Sequence, residues 1–377
     1  MAAALAVFLL LPCVCSASTA VITQVSVEDL PCRSAILMDA KTGEVLYEQN
    51  ADEALPPASV TKVMTLLLVM EAIESGRIKP EDMVRVSENA ASMGGSQVFL
   101  EPGEQMCVEE MLKCVVIASA NDCAVALAEH VAGSEESFVA AMNARAVELG
   151  MKNTHFENTN GLDDTVENHV TSARDVAIMS CALIAHPKIL EYSGIWMDTI
   201  RDGAFGLTNT NRLVRYYPGC TGLKTGSTAR AGFCVSASAE REGVSLICVI
   251  MGAQTRDVRN ESAAKLLDFG FAHYETFQAE GGEKEIKLTG SQGTTLTVSW
   301  PAFGATVPKG DASRVESRID LPESVAAPVE AGAVLGHAIY TLGDKELGRV
   351  EIRAVHDAPK MEFWGLFYQL LSRFFLL

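Results

Sequence analysis

Three short fragments carry residue types that can do chemistry together. The first is Pro56-Pro57-Ala58-Ser59-Val60-Thr61-Lys62. On a helix, residues three apart share a face, which sets the Lys62 ammonium beside the Ser59 hydroxyl. A serine hydroxyl is a poor nucleophile near neutral pH and needs a base to take its proton. A lysine in a dry pocket, near other positive charge, loses its proton and can be that base. The first turn of such a helix also offers free backbone N–H groups and partial positive charge, which favour a developing oxyanion. The second fragment is Ser119-Ala120-Asn121. Its hydroxyl can relay a proton between Lys62 and a leaving group, and its carboxamide can bond Lys62 and a substrate amide. The third is Thr221-Gly222-Leu223-Lys224-Thr225-Gly226-Ser227. On a strand, Lys224 and Gly226 point alike. Gly226 lets a substrate backbone lie close to the strand edge. Lys224 would supply a fixed positive charge, and Thr225 and Ser227 hydroxyl donors suited to a terminal carboxylate. Each fragment alone also fits ordinary structure: a capped helix with a solvated lysine, a helix break, a turn. The reading rests on all three occurring in this order.

The elements that must hold them are legible around them. After the two prolines, Val63, Met64, Leu66, Leu67, Leu68, Val69 and Met70 continue as a buried helix starting near Ala58 or Ser59. Ser34–Asp39 and Glu44–Tyr47 read as a β-hairpin turning at Gly43. Val108 to Leu149 is helical in three pieces: Val108–Ile117, Asp122–Val131 after the break at 119–121, and Ser137–Leu149. Thr171 or Ser172 with Asp175 caps a helix over Val176–Ile184. Phe233–Ala239 and Val244–Met251 are strands joined by Arg241-Glu242-Gly243, and Arg256–Phe271 is a helix ending near Gly270. Strands at both ends with helices between predict an α+β fold: one antiparallel sheet with helices on its faces. Past about Phe277, short β-like runs split by Gly, Pro and Asp predict a small all-β domain, with no catalytic constellation in it.

Composition bounds the function. The chain has 377 residues, room for two domains plus terminal segments, and a formal net charge of −18. Such an acidic chain without a basic aromatic surface is a poor partner for nucleic acid. The seven histidines show no ligand spacing, so neither a metal nor another cofactor is implied. Ten cysteines occur without a Cys-x-x-Cys pair, and most lie in apolar runs; they read as small buried hydrophobes rather than a disulfide framework. Residues 1–17 read as a signal peptide, apolar from Ala2 to Leu11 with Cys15-Ser16-Ala17 fitting the small-x-small cleavage rule. The expected localisation is therefore outside the cytoplasm. At the other end, residues 360–377 pattern as an amphipathic helix rich in Phe and Trp, expected to lie in a membrane surface.

Ser-x-x-Lys, Ser-x-Asn and Lys-Thr-Gly in this order resemble the motifs of penicillin-binding proteins and class A β-lactamases. The chain is similar to the low-molecular-mass penicillin-binding proteins, the serine D-alanyl-D-alanine carboxypeptidases of the S11 peptidase type. Met93–Gly103, Asn153–Leu162 and Gly252–Arg259 look like further landmarks of that family. The resemblance implies a β-lactamase-like catalytic domain over 24–276, a β-rich domain over 277–357 and a membrane-anchoring helix over 360–377. It implies Ser59 as the acylated nucleophile and Lys62 as its base. Ser119 and Asn121 would assist proton transfer, and Lys224, Thr225, Gly226 and Ser227 would bind the substrate. The backbone N–H groups of Ser59 and Ser227 would form the oxyanion hole. Many members carry His where this chain has Ser227. Arg256 and Arg259 are secondary anion-binding or structural candidates. The implied partners are peptidoglycan stem peptides and, as covalent inhibitors, β-lactam antibiotics. Two rival readings remain open. A β-lactamase on the same scaffold would need a deacylating Glu, and Glu157 lacks the right setting. A catalytically silent wall-binding protein would not need three intact motifs.

Overall fold

The computed structural model describes residues 29–362 and Phe367. The expected signal segment, and all of the terminal helix except residues 360–362 and 367, lie outside the described residues.

The catalytic half is built on a five-stranded antiparallel sheet. Its order is Val45–Gln49, Ser34–Asp39, Val244–Ala253, Gly232–Arg241, Cys220–Thr228. The N-terminal hairpin thus docks on strands from near the domain's end. The Val244–Ala253 strand reads as one apolar run because both its faces are buried. One face is covered by the Arg256–His273 helix through Leu37, Leu246, Leu266 and Leu267. That helix runs a little past Gly270, to His273. Gly270 is buried inside it, and a Cβ there would meet Leu246 Cδ1 at 2.6 Å and Leu37 Cδ2 at 2.9 Å. The glycine marks close packing of helix on sheet.

The other face carries the helical body. The Lys62–Glu74 helix is buried almost all round, packed against the Ala173–Ile184 and Asn121–Ala132 helices. Truncating a fully buried leucine such as Leu67 costs about 2–5 kcal/mol, so this helix is a rigid mount for whatever its first turn carries. Ser172 caps the Ala173–Ile184 helix by accepting from Asp175 N. The Val108–Ile117 piece is an α-helix only to Lys113, and Cys114–Ala118 is a π-helical turn. Apolar periodicity does not separate these two helix types, because both bury one face.

From Tyr274 to Glu362 the chain is built mainly of β-strands, with one 3₁₀ turn at Ala312–Arg314. Tyr274–Ala279 pairs with Phe303–Pro308, and six further strands form a second sheet around Leu296, Val298, Ala338, Tyr340 and Ile352. Phe303 and Tyr340 stack with ring centroids 4.3 Å apart. The two halves meet at the N-terminal hairpin turn. The buried Asp39 carboxylate accepts from Thr42 N, Thr42 Oγ1 and, across the interface, Thr306 Oγ1 at 2.6 Å. The eight described cysteines are all free. Burial pushes the thiols of Cys32, Cys220 and Cys234 up to about 11, which keeps them protonated packing groups. Among the described residues no helix is long and apolar enough to cross a membrane.

Candidate active site

The turn that presents Ser59 is held from three sides. Ala58 takes a positive φ of 47°, and Ala58–Thr61 forms a 3₁₀ turn that runs into the Lys62–Glu74 helix. Thr61 Oγ1 donates to Ala58 O at 2.9 Å and lies 2.8 Å from His169 Nε2. Glu157 N donates to His169 Nδ1, so in the neutral ring Nε2 carries the proton and donates to Thr61. Burial, then His155, pushes His169 down to about 4, so the ring is neutral near pH 7. Gly161 presses on the same turn: a Cβ there would lie 1.8 Å from Ala58 O.

Lys62 Nζ lies 2.8 Å from Ser59 Oγ, 2.6 Å from Asn121 Oδ1 and 2.8 Å from Asn160 O. None of these partners is a carboxylate, and Lys62 is completely buried. Burial is the main cause that holds the ammonium well below the usual lysine range. The Lys224 charge adds to it, and Asp122 opposes it. A neutral lysine amine has two N–H donors and one lone pair. With the donors given to Asn121 Oδ1 and Asn160 O, the lone pair faces Ser59 Oγ, ready to accept its proton.

Asn121 is oriented rather than free. Its Nδ2 donates to Gly94 O at 2.7 Å, which turns Oδ1 toward Lys62. Its neighbour Asp122 accepts from Val98 N at 3.0 Å and Leu100 N at 3.1 Å, fixing the adjoining loop to the start of the Asn121–Ala132 helix. Ser119 ends the π-helical turn in the left-handed region, φ 65° and ψ 28°. Backbone strain of this kind costs roughly 1–3 kcal/mol and clusters at functional sites. It turns Ser119 into the cleft that Ser59 faces.

The third fragment closes the site from the sheet edge. A Cβ on Gly226 would meet Ser59 N at 2.8 Å, Val60 N at 2.9 Å and Pro57 O at 3.0 Å. Only a glycine lets the strand lie this close to the Ser59 turn. Thr225 Oγ1 donates to Thr210 Oγ1 at 2.8 Å. Lys224 is buried, and its Nζ donates to Thr225 O at 2.9 Å. Burial, followed by the Arg259 charge, pushes it down to about 7. Burial thus disfavours the charge that the sequence leads one to expect on Lys224.

The cleft between these elements has a volume of about 670 Å³. Ser59, Ser119, Thr225, Gly226 and Ser227 all line it, as do Arg256 and Arg259. Lys62, Asn121 and Lys224 stand behind it. Five of the eight positions singled out by the three fragments line the cleft, Lys62 and Asn121 connect to Ser59 Oγ through hydrogen bonds, and Lys224 is close enough for its charge to act on Lys62.

A family profile described as Peptidase S11, D-alanyl-D-alanine carboxypeptidase, matches residues 21–255. The chain belongs to this family. A second profile, penicillin-binding protein 5 C-terminal domain, matches residues 275–360 of this S11 chain. It is 44% identical over 339 residues to the D-alanyl-D-alanine carboxypeptidase DacF of Bacillus subtilis, covering 88% of this chain and 87% of that one. Penicillin-binding protein 5 of Haemophilus influenzae has the same architecture, with a TM-score of 0.75 at 32% identity over 89% of this chain and all of the other. Penicillin-binding protein D2 of Listeria monocytogenes, solved with cefotaxime bound, matches at a TM-score of 0.60 and 33% identity, over 64% of this chain and 98% of its own.

Sequence reasoning missed several parts of the S11 site. The Asn160 carbonyl and Gly161 sit in Asn158-Thr159-Asn160-Gly161, a turn signal that indicates a loop but not its partner. Thr210, Arg212, Trp196 and Tyr216 line the cleft from a segment without regular periodicity. Glu157 is turned away from the chemistry; its carboxylate accepts from Asn168 N at 2.8 Å, and no Asp or Glu lines the cleft.

Proposed function

We propose that the protein is a serine D-alanyl-D-alanine carboxypeptidase that removes the terminal D-alanine from peptidoglycan pentapeptide stems. The observation that carries this reading is the 2.8 Å contact between Lys62 Nζ and Ser59 Oγ, with Lys62 fully buried and without a carboxylate partner.

In the proposed reaction, Ser59 Oγ attacks the carbonyl between the two D-alanines while Lys62 takes its proton. The oxyanion is held by the backbone N–H groups of Ser59 and Ser227. The proton passes through Ser119 to the leaving amine, the C–N bond breaks, and D-alanine departs. Asn121 holds Lys62 and the stem amide. Lys224, Thr225 and Ser227 receive the leaving residue's carboxylate, with Gly226 letting the stem backbone lie along the strand. Water then attacks the acyl ester, Lys62 takes its proton, and Ser59 is released. With no acidic residue lining the cleft to activate that water against a β-lactam, a penicilloyl adduct is long-lived. β-Lactams therefore act as inhibitors here, not as substrates of a lactamase.

The catalytic unit spans 24–276 and the β domain 277–357 in this reading. The 1–17 segment directs export, and the Phe- and Trp-rich 360–377 helix lies in the membrane surface at the cell wall. The deciding experiment incubates the full chain with diacetyl-Lys-D-Ala-D-Ala and measures free D-alanine. Release that is lost in Ser59→Ala supports the reading; no release from the unsubstituted chain overturns it.

A further inference from the structure

The cleft holds more positive charge than one carboxylate balances. Arg212, Arg256 and Arg259 all line it, and no Asp or Glu does, in a chain whose formal net charge is −18. Arg259 is buried, with its guanidinium tied to Asn260 Oδ1 and donating to Cys234 O at 3.4 Å. Cys234 stands opposite Gly226 in the sheet, so this cation sits against the strand of Lys224 to Ser227. Arg256 precedes Arg259 by three residues on the same helix, one turn closer to its N-terminus. A cation there opposes the helix dipole, which favours acids in the first turn. Arg212 and Arg256 are exposed and make no ion pair among the described residues. Arg215 instead stacks on Trp196, 5.3 Å from the ring centroid, and Trp196 packs edge-on against Tyr216 beside Arg212. The two rim arginines both act on the buried Arg259. Arg259 is pushed down to about 10, by burial first and then by the neighbouring Arg256 and, more weakly, Arg212, with Asp257 as a small counterweight. Like charges gathered without partners at the mouth of a site are a standing cost to the folded state, and an anionic ligand relieves it.

We infer that Arg212 and Arg256 form a second anion subsite beside the strand of Lys224 to Ser227, so that the enzyme prefers leaving D-residues bearing a side-chain carboxylate, such as D-glutamate, over neutral residues of the same size. This inference rests on the carboxypeptidase reading. The terminal carboxylate occupies the Lys224, Thr225 and Ser227 end; the side-chain carboxylate reaches the two exposed arginines at the rim. The reaction is otherwise the same hydrolysis, with the leaving amine carrying away two carboxylates instead of one.

The test compares diacetyl-Lys-D-Ala-D-Glu with diacetyl-Lys-D-Ala-D-Gln, which have equal shape and differ in one charge. Release of the free D-amino acid is followed by mass spectrometry. The unsubstituted full chain should show kcat/KM about tenfold or more higher for D-Glu than for D-Gln, as a charge-assisted hydrogen bond provides. The preference should shrink as salt rises from about 50 to about 500 mM, because the rim is solvated. In Arg212→Gln/Arg256→Gln the ratio should collapse toward one while the thermal unfolding midpoint shows the chain still folded. A ratio near one in the unsubstituted chain, or a ratio that survives both substitutions, overturns the second subsite. If D-alanine is still released from diacetyl-Lys-D-Ala-D-Ala in those cases, the carboxypeptidase reading stands without it. Failure to release any D-residue overturns both.

Discussion

The cleft of the catalytic half and the C-terminal β domain treat their cations in opposite ways. In the C-terminal β domain three half-exposed arginines pair with acids close in sequence: Arg314 with Asp311, Arg349 with Glu346, Arg353 with Glu351. The interior there is apolar, down to the stacked Phe303 and Tyr340. In the catalytic half, Lys62 and Lys224 are buried without any carboxylate partner. Arg212 and Arg256 stand unpaired at the mouth of the same cleft. The β domain buries apolar side chains and leaves these ion pairs in solvent. The cleft keeps charge that burial disfavours, as the proposed base and the inferred anion subsite require.

Substitutions can break this contrast, and the largest effect is expected at the base. Lys62→Gln should slow acylation by penicillin by about 10²–10⁴-fold, the range of a positioned general base. A loss of less than tenfold would remove Lys62 from that role. Gly226→Ala comes next. Its methyl would press on backbone atoms of the Ser59 turn at 2.8–3.0 Å, which cannot rotate away. Acylation should fall by roughly 10²-fold with a small change in unfolding temperature; near-normal acylation would show that the strand is not held so closely.

Lys224→Met tests the cost of the buried charge. The folded-state pKa is pushed down to about 7 from the 10.5 of an unfolded lysine. The folded chain therefore binds fewer protons than the unfolded one across that window. The penalty is full below about pH 7 and fades as pH rises toward 10.5. The substitution should raise the unfolding midpoint at neutral and acidic pH, with the gain vanishing above pH 10.5, while kcat/KM for the peptide falls. A gain that grows with pH would contradict the assignment.

The β domain should respond in the other pattern. Ile352→Ala, at a fully buried core position, should cost about 2–5 kcal/mol in that domain and leave acylation at Ser59 within about twofold. Arg349→Ala should leave both unfolding and acylation within error, because the Arg349–Glu346 pair is solvated. A marked fall in acylation from either would mean that the β domain braces the cleft.

Much of this is legible in the sequence because it follows from local rules. The hairpin at Gly43, the Ser172 cap and the break at Ser119 each declare themselves within a few residues. The three fragments proposed to be catalytic declare themselves by residue type and order. What stays hidden depends on partners distant in the chain. Gly270 looks like a helix stop because its packing partners, Leu37 and Leu246, belong to other strands. The Asn160 carbonyl is a backbone group, so no side-chain pattern can single it out. The π-helical turn at Cys114–Ala118 keeps the apolar periodicity of an α-helix. The ionisation of Lys224 escapes for the same reason: a fixed charge follows from residue type, and a charge near its midpoint follows only from burial beside Arg259.

The most direct test of the central claim is peptide mapping of the penicillin adduct across a pH series. The adduct should sit on the peptide carrying Ser59, and its rate of formation should rise with pH through a midpoint well below the 10.5 of an ordinary lysine. An adduct on any other residue, or a rate that rises only near pH 10.5, would contradict the pairing of Ser59 with a neutral Lys62.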